Sequence, residues 1–248
     1  MSGVDLAGYL AARRALVDEA LERVLPAETV PPATVHRAMR YSVLAGGKRL
    51  RPILVLAGAE AVAILAGDAL LTLAFRLAAD NAALAREPRV LRDVVAELAD
   101  AAGTFGMVGG QVADIESEGK TISPETLEYI HLHKTAALIR ASLRVGALLA
   151  GGAPAAVDAI GEAGRDLGLA FQIVDDILDV EGSLEELGKT AGSDERKKKA
   201  TYPALHGVPA SRREAQRLVA RVKERLAALG PRAAPLAGLA DYVLERKN

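Results

Sequence analysis

The sequence has no cysteine and no tryptophan, and only 3% of its 248 residues are aromatic. Without cysteine, the chain cannot form disulfides, attack a substrate with a thiol or bind zinc through sulfur. Residues 1–10, MSGVDLAGYL, lack the basic start and the apolar core of a signal peptide. Together these absences predict a cytoplasmic protein.

Neither sign of charge is in excess, because 31 lysines and arginines are balanced by 32 aspartates and glutamates. Such a chain has no general electrostatic attraction for nucleic acid, so we expect no nucleic-acid partner. A long uncharged apolar run is also missing, since the most apolar stretch, 53–73, contains Glu60 and Asp68. A membrane-spanning helix needs ~20 largely uncharged residues. We therefore predict no membrane span, and a buried helix at 53–73.

The apolar half of the sequence consists mainly of alanine, leucine and valine. Alanine and leucine are strong helix formers, and the apolar residues recur with a 3.6-residue period between glycine, proline and serine breaks. We predict an all-α protein with a single domain over 1–248. The predicted helices are 4–24, 33–45, 50–79, 89–118, 124–150, 154–182, 211–229 and 234–246.

Two helix ends have clear local signals. Ser123, Pro124 and Glu125 provide an N-cap, a proline at the first helical position and an acid in the first turn. The pair Gly151-Gly152 ends the preceding helix, and Pro154 begins the next. The long apolar helices on either side imply burial within a large bundle.

The strongest chemical signal is the segment 171–179, FQIVDDILD, in which three acids interrupt an apolar helix. Asp175 and Asp179 are four residues apart and share a helix face, with Gln172 one turn earlier. Burying unpaired carboxylates costs several kcal/mol, so a cation is expected there. Oxygen-only ligands favour magnesium, and we predict that Asp175, Asp176 and Asp179 bind it. An exposed acidic face is the alternative, which the apolar neighbours disfavour.

A second signal is the basic segment 46–52, GGKRLRP, which leads into an apolar helix. Backbone amides at a helix start, together with Lys48, Arg49 and Arg51, would form a phosphate site. A solvated basic loop explains the segment equally well.

A third signal is the charged stretch 188–199, which begins with Gly188-Lys189-Thr190. It is not a P-loop, because Ser183 stands where the first glycine is required and no strand precedes it. We interpret it as a loop that closes over a phosphate through Lys189 and Lys199, with a solvated charge run as the alternative.

A further pair, Lys134-Thr135, lies inside an apolar helix, where it needs an anion or carbonyl partner unless the lysine reaches the surface. His131 and His133 are two residues apart and face different directions on a helix, so they do not form a zinc pair. We assign the two histidines no role. Residues 109–111, GGQ, are consistent with close helix packing.

These segments, in this order along the chain, resemble the trans-isoprenyl diphosphate synthases. The residues that carry the resemblance are GGKRLRP (46–52), GDALL (67–71), GMVGGQVADI (106–115), HKTAALI (133–139), FQIVDDILD (171–179), GKTAGSD (188–194) and KATYPAL (199–205). The resemblance implies an all-α bundle of the isoprenoid synthase type with a central active-site cavity, normally a homodimer. It also implies a prenyltransferase that condenses isopentenyl diphosphate with an allylic diphosphate to give a short-chain product such as farnesyl or geranylgeranyl diphosphate. About three magnesium ions are expected as cofactor.

The resemblance also implies a role for each matched residue. Lys48 and Arg51, with Arg49 close by, would bind isopentenyl diphosphate. The aspartates of 171–179 match the second aspartate-rich motif of the family, which holds magnesium against the allylic diphosphate. The same diphosphate would be bound by Lys134, Lys189 and Lys199, and the allylic cation would lie near Thr135 and Gln172. The expected catalytic set is Asp175, Asp176, Lys134, Lys189 and Gln172.

The sequence departs from the family at one place. The first aspartate-rich motif and its flanking helices are absent, because residues 59–62 run directly into 63–68. Either residues are omitted between Val62 and Ala63, or the deletion is genuine. We favour omission, because losing core helices would exceed the ~5–15 kcal/mol of net stability of a domain. A genuine deletion would favour a non-catalytic regulatory subunit or a lyase of the terpene-cyclase type.

Overall fold

The computed structural model describes residues 8, 18–30, 33–44, 57–82, 88–187 and 201–246. Within these ranges all regular secondary structure is helical, and no strand occurs. The helices belong to two compact units, residues 1–81 and 82–248. The predicted all-α class is confirmed.

The first unit contains a helical segment at 18–24, α1 (Ala33–Leu44) and most of α2 (Ala57–Ala82). Its buried cluster consists of Leu25, Met39 and Ala66. Helix α2 continues without a break through the junction of Val62 and Ala63. The residues on either side of the predicted gap therefore form one helix in this chain.

The second unit contains the remaining helices. In chain order they are α3 (Pro88–Ala102), α4 (Met107–Ser117), α5 (Pro124–His131), a π-helical turn (Leu132–Ala136), α6 (Ala137–Leu149), α7 (Pro154–Leu187), α8 (Tyr202–His206), α9 (Val208–Ala227), a 3-10 turn (Pro231–Ala233) and α10 (Ala234–Glu245). The predicted ends at 123–125 and 151–154 are confirmed: Oγ of Ser123 accepts from N of Thr126 at 3.2 Å, and Gly151 has φ +72°.

The core of the second unit lies along α7, which packs against α6, α9 and α10. Its largest fully buried apolar side chains include Ile173 and Ile177 of α7 and Leu218 and Val222 of α9. Asp166 of α7 is also fully buried, and both of its oxygens accept from the arginines of α9, Arg221 and Arg225. Apolar packing and one buried ion cluster therefore fix α7 against α9.

Three predicted helices differ from the structure. The helix predicted at 89–118 ends at Ala102 and restarts at Met107, because Gly106 has a non-helical backbone with ψ −124°. The helix predicted at 124–150 contains the π-helical turn, and the helix predicted at 154–182 continues to Leu187. The short helix α8 was not predicted. Of the helices that the structure describes, none has the length and apolarity to cross a membrane.

Candidate active site

The π-helical turn lies between two glycines. A Cβ on Gly110 of α4 would be 2.2 Å from the backbone nitrogen of Lys134, and a Cβ on Gly168 of α7 would be 2.5 Å from Cα of Ala136. Real Cβ atoms do not approach other atoms so closely, so only glycine fits at either position. Both helices therefore reach the backbone of the turn directly, which places Lys134 and Thr135 between α4 and α7.

The π geometry itself adjusts the register of these side chains. An extra residue in one turn of an α-helix rotates the residues that follow, and such turns occur often at functional sites. A regular helix over 124–150 would present Lys134 and Thr135 on other faces. The sequence contains no glycine or proline in 132–136 that signals the turn.

Lys134 is held by an acid of α4. Its Nζ lies 2.5 Å from Oδ2 of Asp114, with both side chains partly buried. Asp114 is one helical turn after Gly110 and so lies on the same face of α4. The close approach at the glycine therefore brings the carboxylate to the lysine.

Thr135 begins a chain of hydrogen bonds that leads into α7. Its Oγ1 donates to Oε1 of Gln172 at 2.8 Å, and Nε2 of Gln172 donates to Oδ1 of Asp176 at 3.1 Å. Gln172 and Asp176 are four residues apart on one face of α7, which allows the second bond. The turn and the aspartate-bearing helix are thus joined through one glutamine.

Asp176 is 3% exposed, and its second oxygen is also occupied. Oδ2 accepts from the backbone nitrogen of Tyr202 at 2.8 Å and lies 3.2 Å from Nε2 of His131. Burial by itself raises the pKa of a carboxyl group. Here the hydrogen bond and charge of His131, with the bonds from Tyr202 and Gln172, outweigh burial and lower the pKa of Asp176 below its ordinary value.

Asp175 faces a different partner. Its Oδ1 lies 3.2 Å from Nη2 of Arg246, and the same nitrogen donates to the backbone oxygen of Phe171 at 2.9 Å. The guanidinium carbon lies 3.8 Å from the centre of the Phe171 ring, a cation–π arrangement. Asp179 is exposed one turn later on α7.

The three predicted magnesium ligands therefore have different surroundings. Asp175 and Asp179 share one face of α7 and are accessible, whereas Asp176 is buried against His131 and Tyr202. Among the described residues, no three acidic or histidine side chains converge on one point as a metal site. Magnesium is typically bound by one or two carboxylates together with substrate phosphates and water. The donor set of Asp175 and Asp179 fits that description.

Several predicted site residues lie outside the described residues, namely Lys48, Arg49, Arg51, Lys189 and Lys199. Other residues of the site have no predicted role: Asp114, His131, Tyr202 and Arg246. The four-residue spacing of Gly110 and Asp114, which places both on one helix face, is a sequence signal that could have identified Asp114. The other three meet α7 only through the tertiary fold, so no local pattern identifies them.

The sequence and the fold are also similar to those of known proteins. The sequence profile of the polyprenyl synthetase family matches residues 58–229. The chain belongs to this family. A dimethylallyltranstransferase of Fischerella ambigua is 39% identical, over 98% of this chain and 84% of that protein. A chloroplastic geranylgeranyl pyrophosphate synthase of Capsicum annuum is 39% identical, over 97% of this chain and 78% of that protein.

Solved structures of prenyl synthases share the fold. An FPP/GFPP synthase of Zymomonas mobilis in the apo state matches with a TM-score of 0.80 at 28% identity, covering 97% of this chain and 99% of that chain. A geranyltransferase of Helicobacter pylori, complexed with magnesium and isoprenyl diphosphate, matches with a TM-score of 0.72 at 27% identity, covering 99% and 98%. The predicted family, fold class and prenyltransferase activity are confirmed, and the use of magnesium is supported.

The comparisons also bear on the missing segment. The alignment with the Fischerella protein spans 295 positions, more than the 248 residues of this chain. That relative therefore has residues without a counterpart here, as the absent first aspartate-rich motif predicts. The placement of the gap between Val62 and Ala63 stays a prediction.

Proposed function

We propose that this prenyltransferase condenses isopentenyl diphosphate with an allylic diphosphate to give farnesyl or geranylgeranyl diphosphate. The observation that supports it best is the hydrogen bond from Thr135 of the π-helical turn to Gln172 of the aspartate-bearing helix α7. This hydrogen bond joins the helix that carries acidic groups to the turn that carries a neutral polar group. Asp175 and Asp179 suit a metal–diphosphate, and Thr135 and Gln172 are neutral dipoles suited to a developing cation.

The diphosphate end of the proposed site is formed by charged groups. Asp175 and Asp179 would hold magnesium, with about three ions expected from the family resemblance. Bound magnesium supplies positive charge for the diphosphate leaving group. Lys134, which pairs with Asp114, would add a cation for the phosphate oxygens. Lys189 and Lys199 keep their predicted role on the same diphosphate, and Lys48, Arg49 and Arg51 keep theirs on isopentenyl diphosphate.

The hydrocarbon end of the site would stabilise the allylic cation. The allylic carbon–oxygen bond breaks with its electron pair leaving on the diphosphate, and the oxygens of Thr135 and Gln172 would stabilise the positive charge without attacking it. The double bond of isopentenyl diphosphate then forms the new carbon–carbon bond. The proton that restores the double bond leaves to the released diphosphate, so no side-chain base is required.

Incubation with isopentenyl and dimethylallyl diphosphates and magnesium tests this proposal. We expect elongated diphosphates as products, and their absence would contradict the proposed transferase reaction. Asp175→Ala should abolish elongation while circular dichroism stays unchanged, and Arg232→Gln, on an exposed turn, is the control for loss of a charge. Unchanged turnover in Asp175→Ala would remove that residue from the site. Intact mass well above 25.9 kDa would show that the sequence omits residues.

The chain is further proposed to form a homodimer through α4 and the turn that precedes it. Exposed apolar side chains follow one another at spacings of 3, 4 and 3 residues: Phe105, Val108, Val112 and Ile115. Phe105 is 84% exposed, which is unusual for so large an apolar side chain outside an interface. Sedimentation should give a dimer, and Val112→Glu should give a monomer. A monomeric wild-type protein would contradict the dimer.

The cytoplasm is the proposed compartment, because a chain without cysteine suits a reducing environment. The Capsicum annuum relative is chloroplastic by name. Imaging of a tagged full chain in its own cell should show diffuse cytoplasmic signal, and signal confined to an organelle would overturn the assignment.

A further inference from the structure

Asp176 differs from the other two acids of its motif in what surrounds it. Its side chain is 4% exposed, compared with 22% for Asp175, and Asp179 is exposed. Oδ1 accepts from the Gln172 amide, and Oδ2 accepts from the backbone of Tyr202 with His131 beside it. Both oxygens are therefore committed to groups of the protein rather than directed to the face that Asp175 and Asp179 share.

The polarity of these bonds has only one consistent direction. A carboxylate only accepts hydrogen bonds, so the Gln172 amide must turn its NH₂ group towards Asp176. Its carbonyl oxygen then faces Thr135, whose hydroxyl must donate to it. Consequently the Gln172 carbonyl is electron-rich on the side of the π-helical turn, and the hydrogen of Thr135 is used within the protein. Reversal of the amide would place NH₂ there instead.

We propose that Asp176 is a positioning residue, which orients the Gln172 amide and the Thr135 hydroxyl so that oxygens face the allylic cation, and that it does not bind magnesium. The inference rests on the proposed function for the identity of the cation. The backbone N–H of Tyr202 can only donate, so the Asp176 oxygen that it contacts, Oδ2, must be an acceptor. His131 fills the remaining side of the carboxylate, so the carboxylate is held from three directions by α5, α7 and α8.

The isosteric variant Asp176→Asn distinguishes a positioning residue from a magnesium ligand, because the two roles predict different effects on kcat and on magnesium dependence. Tyr202 requires an acceptor, so the introduced amide must turn its NH₂ group to Gln172. The Gln172 amide then reverses and presents NH₂ towards Thr135. We expect kcat to fall ~100-fold, comparable to loss of an electrostatic contact in a transition state. The KM values and the half-saturating magnesium concentration should stay within about twofold.

A second substitution restores the original polarity. In the Asp176→Asn protein, Gln172→Glu provides a carboxylate that accepts from the introduced amide and from Thr135 at once. We expect the double variant to recover the folding stability lost in Asp176→Asn but not the kcat, because a carboxylate at position 172 would attack the allylic cation, whereas Gln172→Glu alone opposes two carboxylates and is destabilised. A fall in kcat with unchanged KM and unchanged magnesium dependence in Asp176→Asn therefore distinguishes a positioning residue from a magnesium ligand.

Two measurements are independent of turnover. Calorimetry of Mn²⁺ binding with inorganic diphosphate should give the same affinity for wild type and Asp176→Asn, and at least tenfold weaker binding for Asp175→Asn. Chemical unfolding of the full chain should show a favourable coupling between Asp176→Asn and Gln172→Glu. If wild type makes no elongated product, the proposed function fails while these two results still decide the role of Asp176. Equal loss of Mn²⁺ binding in both aspartate variants, or no coupling, would overturn the positioning role.

Discussion

Arg246 makes an ion pair with Asp175, with Nη2 of the arginine 3.2 Å from Oδ1 of the aspartate. The arginine side chain is 7% exposed and covers the Phe171 ring. The arginine therefore already pairs with one of the two carboxylates that are suited to bind magnesium. Like charges ~4 Å apart repel by about 1 kcal/mol even in bulk water. Metal binding at Asp175 must then work against this arginine.

Removal of the arginine should strengthen metal binding and weaken the fold. We expect Arg246→Gln to bind Mn²⁺ at least severalfold more tightly without substrate, because a competing cation is lost. Its melting temperature should fall, since the contacts with Phe171 are lost as well. Calorimetry and thermal unfolding measure the two effects. Arg232→Gln removes an exposed arginine and should change neither, and weaker Mn²⁺ binding in Arg246→Gln would contradict the competition.

The contact between Gly110 and the π-helical turn should be sensitive to the addition of a single methyl group. In Gly110→Ala the new methyl would overlap the backbone of Lys134, which lies 2.2 Å from the ideal Cβ position. Overpacking of this kind costs about 1–3 kcal/mol, and displacement of Lys134 should lower kcat at least tenfold. Steady-state kinetics and urea unfolding measure these effects.

Gly146→Ala is the matched control for that experiment. Gly146 lies inside α6, and a Cβ there would meet no atom within 4 Å. Alanine should raise helix stability by up to ~1 kcal/mol and leave kcat unchanged. If the two variants behave alike, then the close approach of α4 does not position Lys134.

The sequence predicts those parts of this site that depend on short-range pattern. The spacing of Asp175 and Asp179 places them on one helix face, and Ser123 and Gly151 mark helix ends, because these relationships are set within one or two turns. The buried partners of Asp176 are different. His131 is 45 positions and Tyr202 is 26 positions from Asp176, so the fold alone brings them together.

The π-helical turn shows why local helix signals have a limit. Residues 132–136 read as an ordinary part of a continuous helix, since no breaker is present. The structure adds a residue there while Gly110 and Gly168 press on the backbone from two sides. A helical wheel likewise describes only the residues of one helix, so it gave His131 no role, although its Nε2 lies 3.2 Å from Oδ2 of Asp176.

Acid should reduce the contribution of Asp176 to stability. Its pKa lies below the ordinary value of about 3.9, so the native state binds fewer protons there than the unfolded state. The stabilisation is fully present above pH ~4 and is lost as the pH falls through the lower, native pKa. The difference in free energy of unfolding between wild type and Asp176→Asn should be at its full value above about pH 5 and should narrow below pH 4. Urea unfolding at several pH values measures it, and a difference that does not vary with pH would exclude the ionised carboxylate.

Asp166 should matter for stability and not for chemistry. It is fully buried, and both of its oxygens accept from Arg221 and Arg225, which are about one-third exposed. Asp166→Ala leaves two arginines facing each other without an anion, although partial hydration reduces the penalty. We expect a loss of about 2–4 kcal/mol in the free energy of unfolding, with kcat unchanged at a temperature where the variant stays folded.

Asp241→Ala provides the exposed comparison for Asp166→Ala. Asp241 pairs with Lys223 at 2.8 Å, and both side chains are nearly half exposed, so its removal should cost under ~1 kcal/mol. Urea unfolding of both variants at neutral pH gives the comparison. Equal losses in the free energy of unfolding would mean that burial does not increase the contribution of the Asp166 ion pairs to stability. A fall in kcat for folded Asp166→Ala would instead connect the α7–α9 contact to the face that carries Gln172, Asp175 and Asp179.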